Sequence, residues 1–334
     1  MSTDVREIEA NGMRFRTRFA GDRGEPVILL HGFPETSHMW TGLMPKLVEA
    51  GFRCVAPDQR GYSPGARPEG AEHYATGELA KDVIAIADTV GFTGRFHLVG
   101  HDWGAGAGWR VVQDYPERVA SWTSLSIPHP ASYGAGYEDP DQQEKGKYIQ
   151  FFLKPDEPEQ ALSANDYEQL RNVWTESSPE EVEEVPVAVF SQPGALTAAL
   201  NWYRANFGSG QGLGGQATVD TPTLLLWGKH DPAVGPATTK KHNDYMSGPN
   251  KFVEVDAGHW LVQEKPDVVY AELLEHLRAY PVGERVSRTG RSRRGPQPGA
   301  SPSPGGRRGT SPERRWPRFP GSELSFPRVV ASWR

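Results

Sequence analysis

Strand and helix signals alternate along most of this chain, and this alternation constrains its fold more than any other feature. Short apolar runs bounded by turn residues predict strands near 26–30, 53–56, 95–99, 119–126, 221–227 and 251–255. Longer stretches predict helices near 38–50, 77–90, 103–115 and 266–280. Continuous apolar strands suit a parallel sheet covered by helices on both faces. The sequence therefore predicts an α/β protein with a mostly parallel central sheet flanked by helices.

The alternation begins with a hairpin and is interrupted by a helical insert. Asn11-Gly12, the strongest short hairpin signal, separates the first two strand-like stretches. Between residues 129 and 216 the strand signals stop and only helical stretches occur. We interpret this insert as a helical lid, or cap. The predicted domains are an α/β core at 1–128 and 217–281 and a helical cap at 129–216.

The last segment, 282–334, differs from the rest in composition. The chain holds 36 Lys plus Arg and 42 Asp plus Glu, but the residues after 280 hold 12 Arg, 3 Glu and neither Lys nor Asp. This segment therefore carries a formal charge of +9 and leaves −15 for residues 1–280. It is rich in Pro and Gly and has no apolar periodicity, so we expect a disordered tail. Whether the tail functions or results from a shifted reading frame stays open.

Composition also excludes several classes of protein. The single cysteine, Cys54, cannot form an internal disulfide, and no apolar run approaches the ~18 residues of a membrane span. The N-terminus has no secretory signal, so we expect a cytoplasmic protein. The arginines of the tail would bind phosphates, but the acidic charge of the remaining chain argues against a nucleic-acid partner. A homodimer stays open.

Residues 98–105, LeuValGlyHisAspTrpGlyAla, predict a sharp turn from a strand into a helix. Asp102 lies between Gly100 and Gly104, where larger side chains would collide with the neighbouring strand and helix. This is the nucleophile-elbow pattern, G-x-S-x-G, with aspartate in place of serine. A tight turn with a helix-capping aspartate fits the same residues. The motif alone therefore leaves both interpretations open.

Two further residues follow predicted strands. Asp231 comes after the strand at 221–227, and His259 comes after the strand at 251–255. Loops that follow parallel strands open on one edge of the sheet, where ligands bind. The chain order Asp102, Asp231, His259 is nucleophile, acid, base, the order expected for a fold that carries its nucleophile on such a turn. Taken singly, Asp231 fits a turn and His259 a surface position, but the three together favour a catalytic triad.

Further stretches carry a resemblance to a known family. They are HisGlyPheProGlu at 31–35, AspGlnArgGlyTyr at 58–62, LysTyrIleGlnPhePhe at 147–152 and LeuAsnTrpTyrArg at 200–204. With the elbow, they make residues 10–280 resemble the α/β-hydrolase superfamily, and within it the epoxide hydrolase branch with an aspartate nucleophile. The resemblance implies an α/β-hydrolase fold, and it implies that Tyr148 and Tyr203 are paired phenols that hold the epoxide oxygen. Packing within the cap is the alternative for each tyrosine.

An aspartate nucleophile selects the chemistry. An ordinary aspartate is ionised at neutral pH, since its pKa is about 3.9, and can attack a saturated carbon without a base. The product is an alkyl ester on Asp102, which water activated by His259 and Asp231 then hydrolyses. The expected oxyanion hole consists of the backbone N–H groups of Phe33 and Trp103. Glu35 fits either a water-ordering group or an exposed loop carboxylate.

The expected substrate is a small hydrophobic epoxide, which becomes a vicinal diol with no cofactor and no metal. Aromatic residues are the candidates for lining its pocket, although each also fits packing. They are Phe33, Trp103, Phe151, Trp202 and Trp260. The sequence does not identify the epoxide or the regio- and enantioselectivity, and SerProGlyAlaArgPro at 63–68 departs from the family pattern at the pocket rim.

A haloalkane dehalogenase-type hydrolysis with the same triad is the alternative function. Trp103 fits a donor to a departing halide. Haloalkane enzymes usually carry a second halide donor just after the HisGly pair, and this chain has Phe33 there. The residues therefore favour an epoxide.

Overall fold

The structure is a computed structural model, and it describes residues 3–171, 187–208, 213 and 217–283. One sheet of eight strands runs through it in the order β1-β2-β4-β3-β5-β6-β7-β8. The strands are β1 (Asp4–Ala10), β2 (Met13–Ala20), β3 (Glu25–Leu30), β4 (Phe52–Pro57), β5 (Phe96–His101), β6 (Val119–Leu125), β7 (Thr223–Gly228) and β8 (Asn250–Val255). From β4 to β8 all neighbouring strands are parallel, whereas β2 pairs antiparallel with both β1 and β4. The predicted mostly parallel sheet is confirmed.

The predicted hairpin is also confirmed. Ala10 pairs with Met13 across a two-residue turn. Asn11 and Gly12 both have positive φ angles, 48° and 73°. This backbone conformation is the one that asparagine and glycine adopt at little cost in a tight hairpin.

Helices cover the sheet and form the insert between β6 and β7. They are α1 (Met44–Glu49), α2 (Thr76–Thr89), α3 (Trp103–Asp114), α4 (Pro130–Gly136), α5 (Pro140–Lys145), α6 (Lys147–Phe152), α7 (Glu157–Arg171, kinked at 164–167), α8 (Ala188–Phe190), α9 (Ala195–Tyr203), α10 (Leu261–Glu264) and α11 (Pro266–Ala279). The cap as predicted, 129–216, includes the helices from α4 to α9. The predicted tail lies outside the described residues from 284 onward.

The prediction of one helix over 38–50 is wrong. The structure has a 3₁₀ turn at Ser37–Trp40 and then α1, with Pro45 in its first turn. Proline has no N–H to donate and clashes with the preceding turn of a helix, so it fits a helix start and not an interior.

The sheet is buried on both faces. Val27 and Leu29 pack in one apolar cluster with Leu47 of α1 and Leu273 of α11. Ile28, Leu30 and Leu98 pack in a second cluster with residues of α2 and α3. This burial explains why the strand stretches 27–30 and 224–227 are apolar at every position instead of alternating. Across the described ranges, no helix has both the length and the apolar character that a membrane span needs.

Candidate active site

Asp102 occupies a sharp turn between β5 and α3. Its φ angle is 49°, a value that residues other than glycine rarely adopt. A Cβ atom on Gly100 would lie 2.5 Å from the carbonyl oxygen of Gly104, and one on Gly104 would collide with the backbone of Leu30. Gly32 leaves room for the Asp102 side chain in the same way. The turn therefore needs glycines at these positions so that Asp102 reaches the end of the sheet.

The two oxygens of Asp102 have different partners. Oδ1 accepts a hydrogen bond of 2.9 Å from the backbone N–H of Phe33, in the loop after β3. Oδ2 lies 3.5 Å from Nε2 of His259. Trp103 is the first residue of α3, where backbone N–H groups have no partner within the helix. One oxygen thus accepts from the backbone N–H of Phe33, and the other faces the imidazole.

His259 lies between two aspartates. Its Nδ1 is 2.8 Å from Oδ2 of Asp231, so this nitrogen carries the proton that the carboxylate accepts. The other oxygen of Asp231 accepts hydrogen bonds of 2.8 Å from the backbone N–H groups of Ala233 and Val234. Asp231 is thereby fixed, and the ring of His259 turns Nε2 toward Asp102. The structure brings together the three residues that the sequence selects.

Burial and neighbouring charges shift the pKa values at this site. Burial acts to raise the pKa of Asp102, but the hydrogen bond and the charge of His259 outweigh it and hold that pKa below its usual value. Burial acts to lower the pKa of His259, but the charge of Asp231 and the hydrogen bonds to both aspartates raise it to about 10. At neutral pH, Asp102 is therefore a carboxylate beside a protonated imidazole.

Two buried side chains, those of His101 and Ser126, contact the backbone carbonyl of His259. The carbonyl oxygen of His259 lies 2.9 Å from Nε2 of His101 and accepts a hydrogen bond of 3.1 Å from Ser126. Nδ1 of His101 lies 3.5 Å from a carboxylate oxygen of Glu35, and Gln263 donates to the other oxygen. Glu35 is only 2% exposed, so its interpretation as an exposed loop carboxylate is wrong.

Tyr148 and Tyr203 lie side by side in the cap. Tyr148 belongs to α6 and Tyr203 ends α9, and their ring centres are 6.1 Å apart. Tyr203 also lies 5.0 Å from the ring of Trp103 and 5.8 Å from that of Phe33, which places it beside the Asp102 turn. Burial, followed by the charge of Asp102 among nearby groups, raises the pKa of both phenols well above the usual value. Both tyrosines therefore keep their protons at neutral pH.

The aromatic residues predicted to line the pocket pack against different neighbours. Phe33 packs against three rings of the cap, and Trp103 packs against Trp202, whose indole N–H donates to the backbone of Arg60. Trp260 lies 5.0 Å from the ring of His259. Phe151 is buried, and its ring centre lies 6.1 Å from that of Phe152. Their contact with a substrate stays a prediction.

A sequence profile described as alpha/beta hydrolase fold matches residues 25–266 of the chain. The chain belongs to this family. The AB hydrolase superfamily protein YfhM of Bacillus subtilis is 35% identical to this hydrolase, and the match covers 81% of the hydrolase and 96% of the relative. Epoxide hydrolase A of Mycobacterium tuberculosis is 32% identical, and the match again covers 81% of this hydrolase and 96% of the relative.

A solved structure is similar to the hydrolase as well. The crystal structure of Epoxide Hydrolase A from Mycobacterium thermoresistibile superposes with a TM-score of 0.73 at 31% identity, over 84% of this chain and 100% of that one. The predicted α/β-hydrolase fold is confirmed. The hydrolase belongs to the branch of the family whose members in these comparisons are named epoxide hydrolases.

Sequence reasoning missed two residues near the centre of the hydrolase. The first is His101, and its position directly before Asp102 in the sequence could have identified it as a site residue. Tyr133 of α4 is buried, and its pKa is raised by burial and then by groups that include Tyr148 and Asp102. No motif in the sequence marks Tyr133, because its proximity to the aspartates depends on how the cap folds back over the core.

Proposed function

We propose that this hydrolase converts a small hydrophobic epoxide and water into a vicinal diol through a covalent ester on Asp102. The observation that carries the proposal is an ionised aspartate at the elbow, its side chain only 12% exposed, with two buried, protonated phenols of the cap beside it. A carboxylate that attacked an ester would form a mixed anhydride, so this nucleophile favours attack on a saturated carbon. The names of the relatives support an epoxide as the electrophile.

The first step opens the epoxide ring. Oδ2 of Asp102 forms a bond to an epoxide carbon, and the electron pair of the broken carbon–oxygen bond goes to the epoxide oxygen. Tyr148 and Tyr203 donate hydrogen bonds to this oxygen, and one of them gives it a proton. Ester formation removes the negative charge of Asp102. Because that charge helps to keep His259 protonated, the imidazole then releases its proton and restores the phenol.

The second step hydrolyses the ester. Neutral His259 takes a proton from a water molecule, which attacks the Asp102 carbonyl carbon. Oδ1 becomes an oxyanion on the N–H of Phe33, and Trp103 supplies the second donor; each such donor is worth roughly 3 to 4 kcal/mol. The tetrahedral intermediate collapses, the bond from carbon to the diol oxygen breaks, and the diol oxygen takes the proton of the hydroxyl group that the water added to Asp102. Asp102 returns to a carboxylate beside protonated His259.

Heavy-oxygen water tests the covalent step. In a single turnover with excess enzyme in labelled water, the diol should contain no solvent oxygen, whereas the peptide that carries Asp102 should gain the label. Mass spectrometry measures both. A labelled first-turnover diol with an unlabelled Asp102 peptide would overturn the mechanism. Haloalkanes in the same assay separate the dehalogenase alternative, because only that function releases halide.

A substitution of His259, the proposed base, tests the second step independently. His259→Gln keeps the nucleophile and the cap tyrosines but removes the group that activates water. We expect the Asp102 peptide to gain the mass of the whole epoxide and to keep it. If the folded variant accumulates no adduct, His259 is not the base for ester hydrolysis.

A further inference from the structure

We infer that His129 is a positioning residue, because its imidazole ties together the two chain connections between the core and the cap. The inference rests on the proposed function, since the groups it positions are Tyr148 and Tyr203. His129 lies outside the triad and is fully buried. It is the N-cap residue of α4, the first helix of the cap.

The outgoing connection is held by Nδ1 of the ring. This nitrogen accepts a hydrogen bond of 3.1 Å from the backbone N–H of Ala131, in the first turn of α4. The carbonyl oxygen of His129 accepts a bond of 2.9 Å from the N–H of Tyr133. An N-cap side chain accepts a hydrogen bond from a backbone N–H of the first helical turn that has no partner within the helix. His129 therefore ties the first turn of α4 to the chain that leaves β6.

The returning connection is held by the other ring nitrogen. Nε2 lies 3.1 Å from the carbonyl oxygen of Ala217, just after the cap as predicted, and 3.4 Å from the side-chain amide of Gln113. Because Nδ1 accepts a bond and Nε2 donates one to a carbonyl, the ring is the neutral tautomer with its proton on Nε2. A single imidazole thus connects the first turn of the cap with Ala217, the first core residue after the cap as predicted.

The ring is itself fixed to the core. The backbone N–H of His129 donates to Nδ1 of His242 at 3.1 Å, and Nε2 of His242 lies 3.3 Å from the Asn250 side-chain oxygen at the start of β8. The ring stacks on Tyr245 at 4.7 Å, and Trp109 of α3 packs against it edge-on at 5.3 Å. Both ring nitrogens of His129 make hydrogen bonds, and its ring packs against Tyr245 and Trp109. The imidazole therefore holds one orientation relative to the sheet.

The position of the cap decides the position of the phenols. Tyr148 and Tyr203 both lie between the two connections, whereas Asp102, Asp231 and His259 lie on core loops. A tilt of the cap about these connections would move the phenols away from Asp102 and leave the triad in place. Misplacement of a reacting group by about 1 Å can cost roughly 100-fold in rate. Loss of the bridge should therefore slow ring opening and spare ester hydrolysis.

Three substitutions separate the two connections. His129→Asn keeps a short acceptor for the N–H of Ala131 but does not reach Ala217. His129→Gln places an amide donor toward Ala217 but gives up the short N-cap. His129→Ala removes both bonds. We expect His129→Ala to slow ester formation by roughly 10- to 100-fold, with His129→Asn and His129→Gln between it and the unmodified enzyme.

Rapid-mixing kinetics with quench and mass spectrometry measure ester formation and ester hydrolysis separately. Ester hydrolysis should change by less than about threefold in each variant, a split that partial unfolding would not produce because it lowers both rates together. His276→Gln is the matched control, because His276 is also buried and donates to a backbone carbonyl, that of Trp122, but on the core. It should leave both rates unchanged.

The outcomes distinguish the inference from the function on which it rests. If the unmodified enzyme forms no ester, the proposed function fails. If the unmodified enzyme forms the ester but folded His129→Ala forms it equally fast, or loses both steps in parallel, His129 does not position the cap. Hydrogen exchange of the α4 amides gives a readout free of chemistry: faster exchange in His129→Ala than in His276→Gln supports the bridge, and equal exchange overturns it.

Discussion

Two carboxylates flank the imidazole of His259, and their surroundings give them different roles. Asp231 is held by two backbone N–H groups and accepts the Nδ1 proton at 2.8 Å. Asp102 makes a longer contact of 3.5 Å, between its Oδ2 and Nε2 of His259, and its side chain is 12% exposed. A fixed carboxylate orients the base, and a less constrained one is available to form a bond.

The first prediction concerns the pKa of His259. Burial acts to lower it, and the two aspartates raise it to about 10. Asp102→Asn removes one negative charge, as ester formation does, so the pKa of His259 should fall. Titration of the imidazole by NMR measures the change. Asp256→Asn, which removes a fully exposed carboxylate, is the control and should have no effect; an unchanged pKa in Asp102→Asn would contradict the proposed switch from cation to base.

The cap tyrosines carry the second prediction. Tyr148→Phe and Tyr203→Phe each remove one donor to the epoxide oxygen, and each should lower the rate of ester formation by roughly 100-fold. The double variant should form no measurable ester. In the single variants, which still form ester, hydrolysis of that ester should continue because the water-activating residues are untouched. Rapid quenching measures the rates, Tyr280→Phe serves as the control, and unchanged ring opening in the double variant would turn the interpretation toward dehalogenation.

At the scale of elements, the turn between β5 and α3 depends on close backbone approach. Gly104→Ala would drive a Cβ atom into the backbone of Leu30, and we expect a loss of about 3 kcal/mol in the free energy of unfolding. Gly77→Ala in α2 meets open space and should be neutral or slightly stabilising. Urea denaturation compares the two variants. Equal stabilities would mean that α3 can move away from β3 without cost.

The elements also show how far the sequence alone reaches. The parallel strands were predictable because each contains a short apolar stretch, continuous at 27–30 and 224–227, and parallel strands bring their following loops to one edge. The encounter of Asp102, Asp231 and His259 follows from that rule. The division of residues 38–50 into a 3₁₀ turn and α1 was not predicted, because the helical spacing of apolar residues continues through Pro45. The support that His101 gives to the carbonyl of His259 links residues 158 positions apart, and no local pattern encodes such a contact.

At the scale of the whole molecule, buried histidines make stability depend on pH. Burial lowers the pKa values of His129, His242 and His276 to about 4, whereas an unfolded chain has values near ~6.5. Between these values the unfolded state binds more protons, so stability falls as the pH drops from about 6.5 toward 4. Each of these histidines contributes on the order of 2 to 3 kcal/mol to this loss.

His259 acts in the opposite direction. The neighbouring aspartates outweigh burial and raise its folded pKa to about 10, so the stability it contributes is complete below about 6.5 and is lost as the pH rises through 10. The free energy of unfolding should therefore be greatest near neutral pH and decline on both sides. Urea denaturation from pH 4.5 to pH 9.5 measures it, and His276→Gln should flatten the acid side while Asp102→Asn flattens the alkaline side. A stability that rises steadily from neutral to alkaline pH would contradict a protonated His259 in the resting enzyme, and with it the order of proton transfers proposed for ring opening.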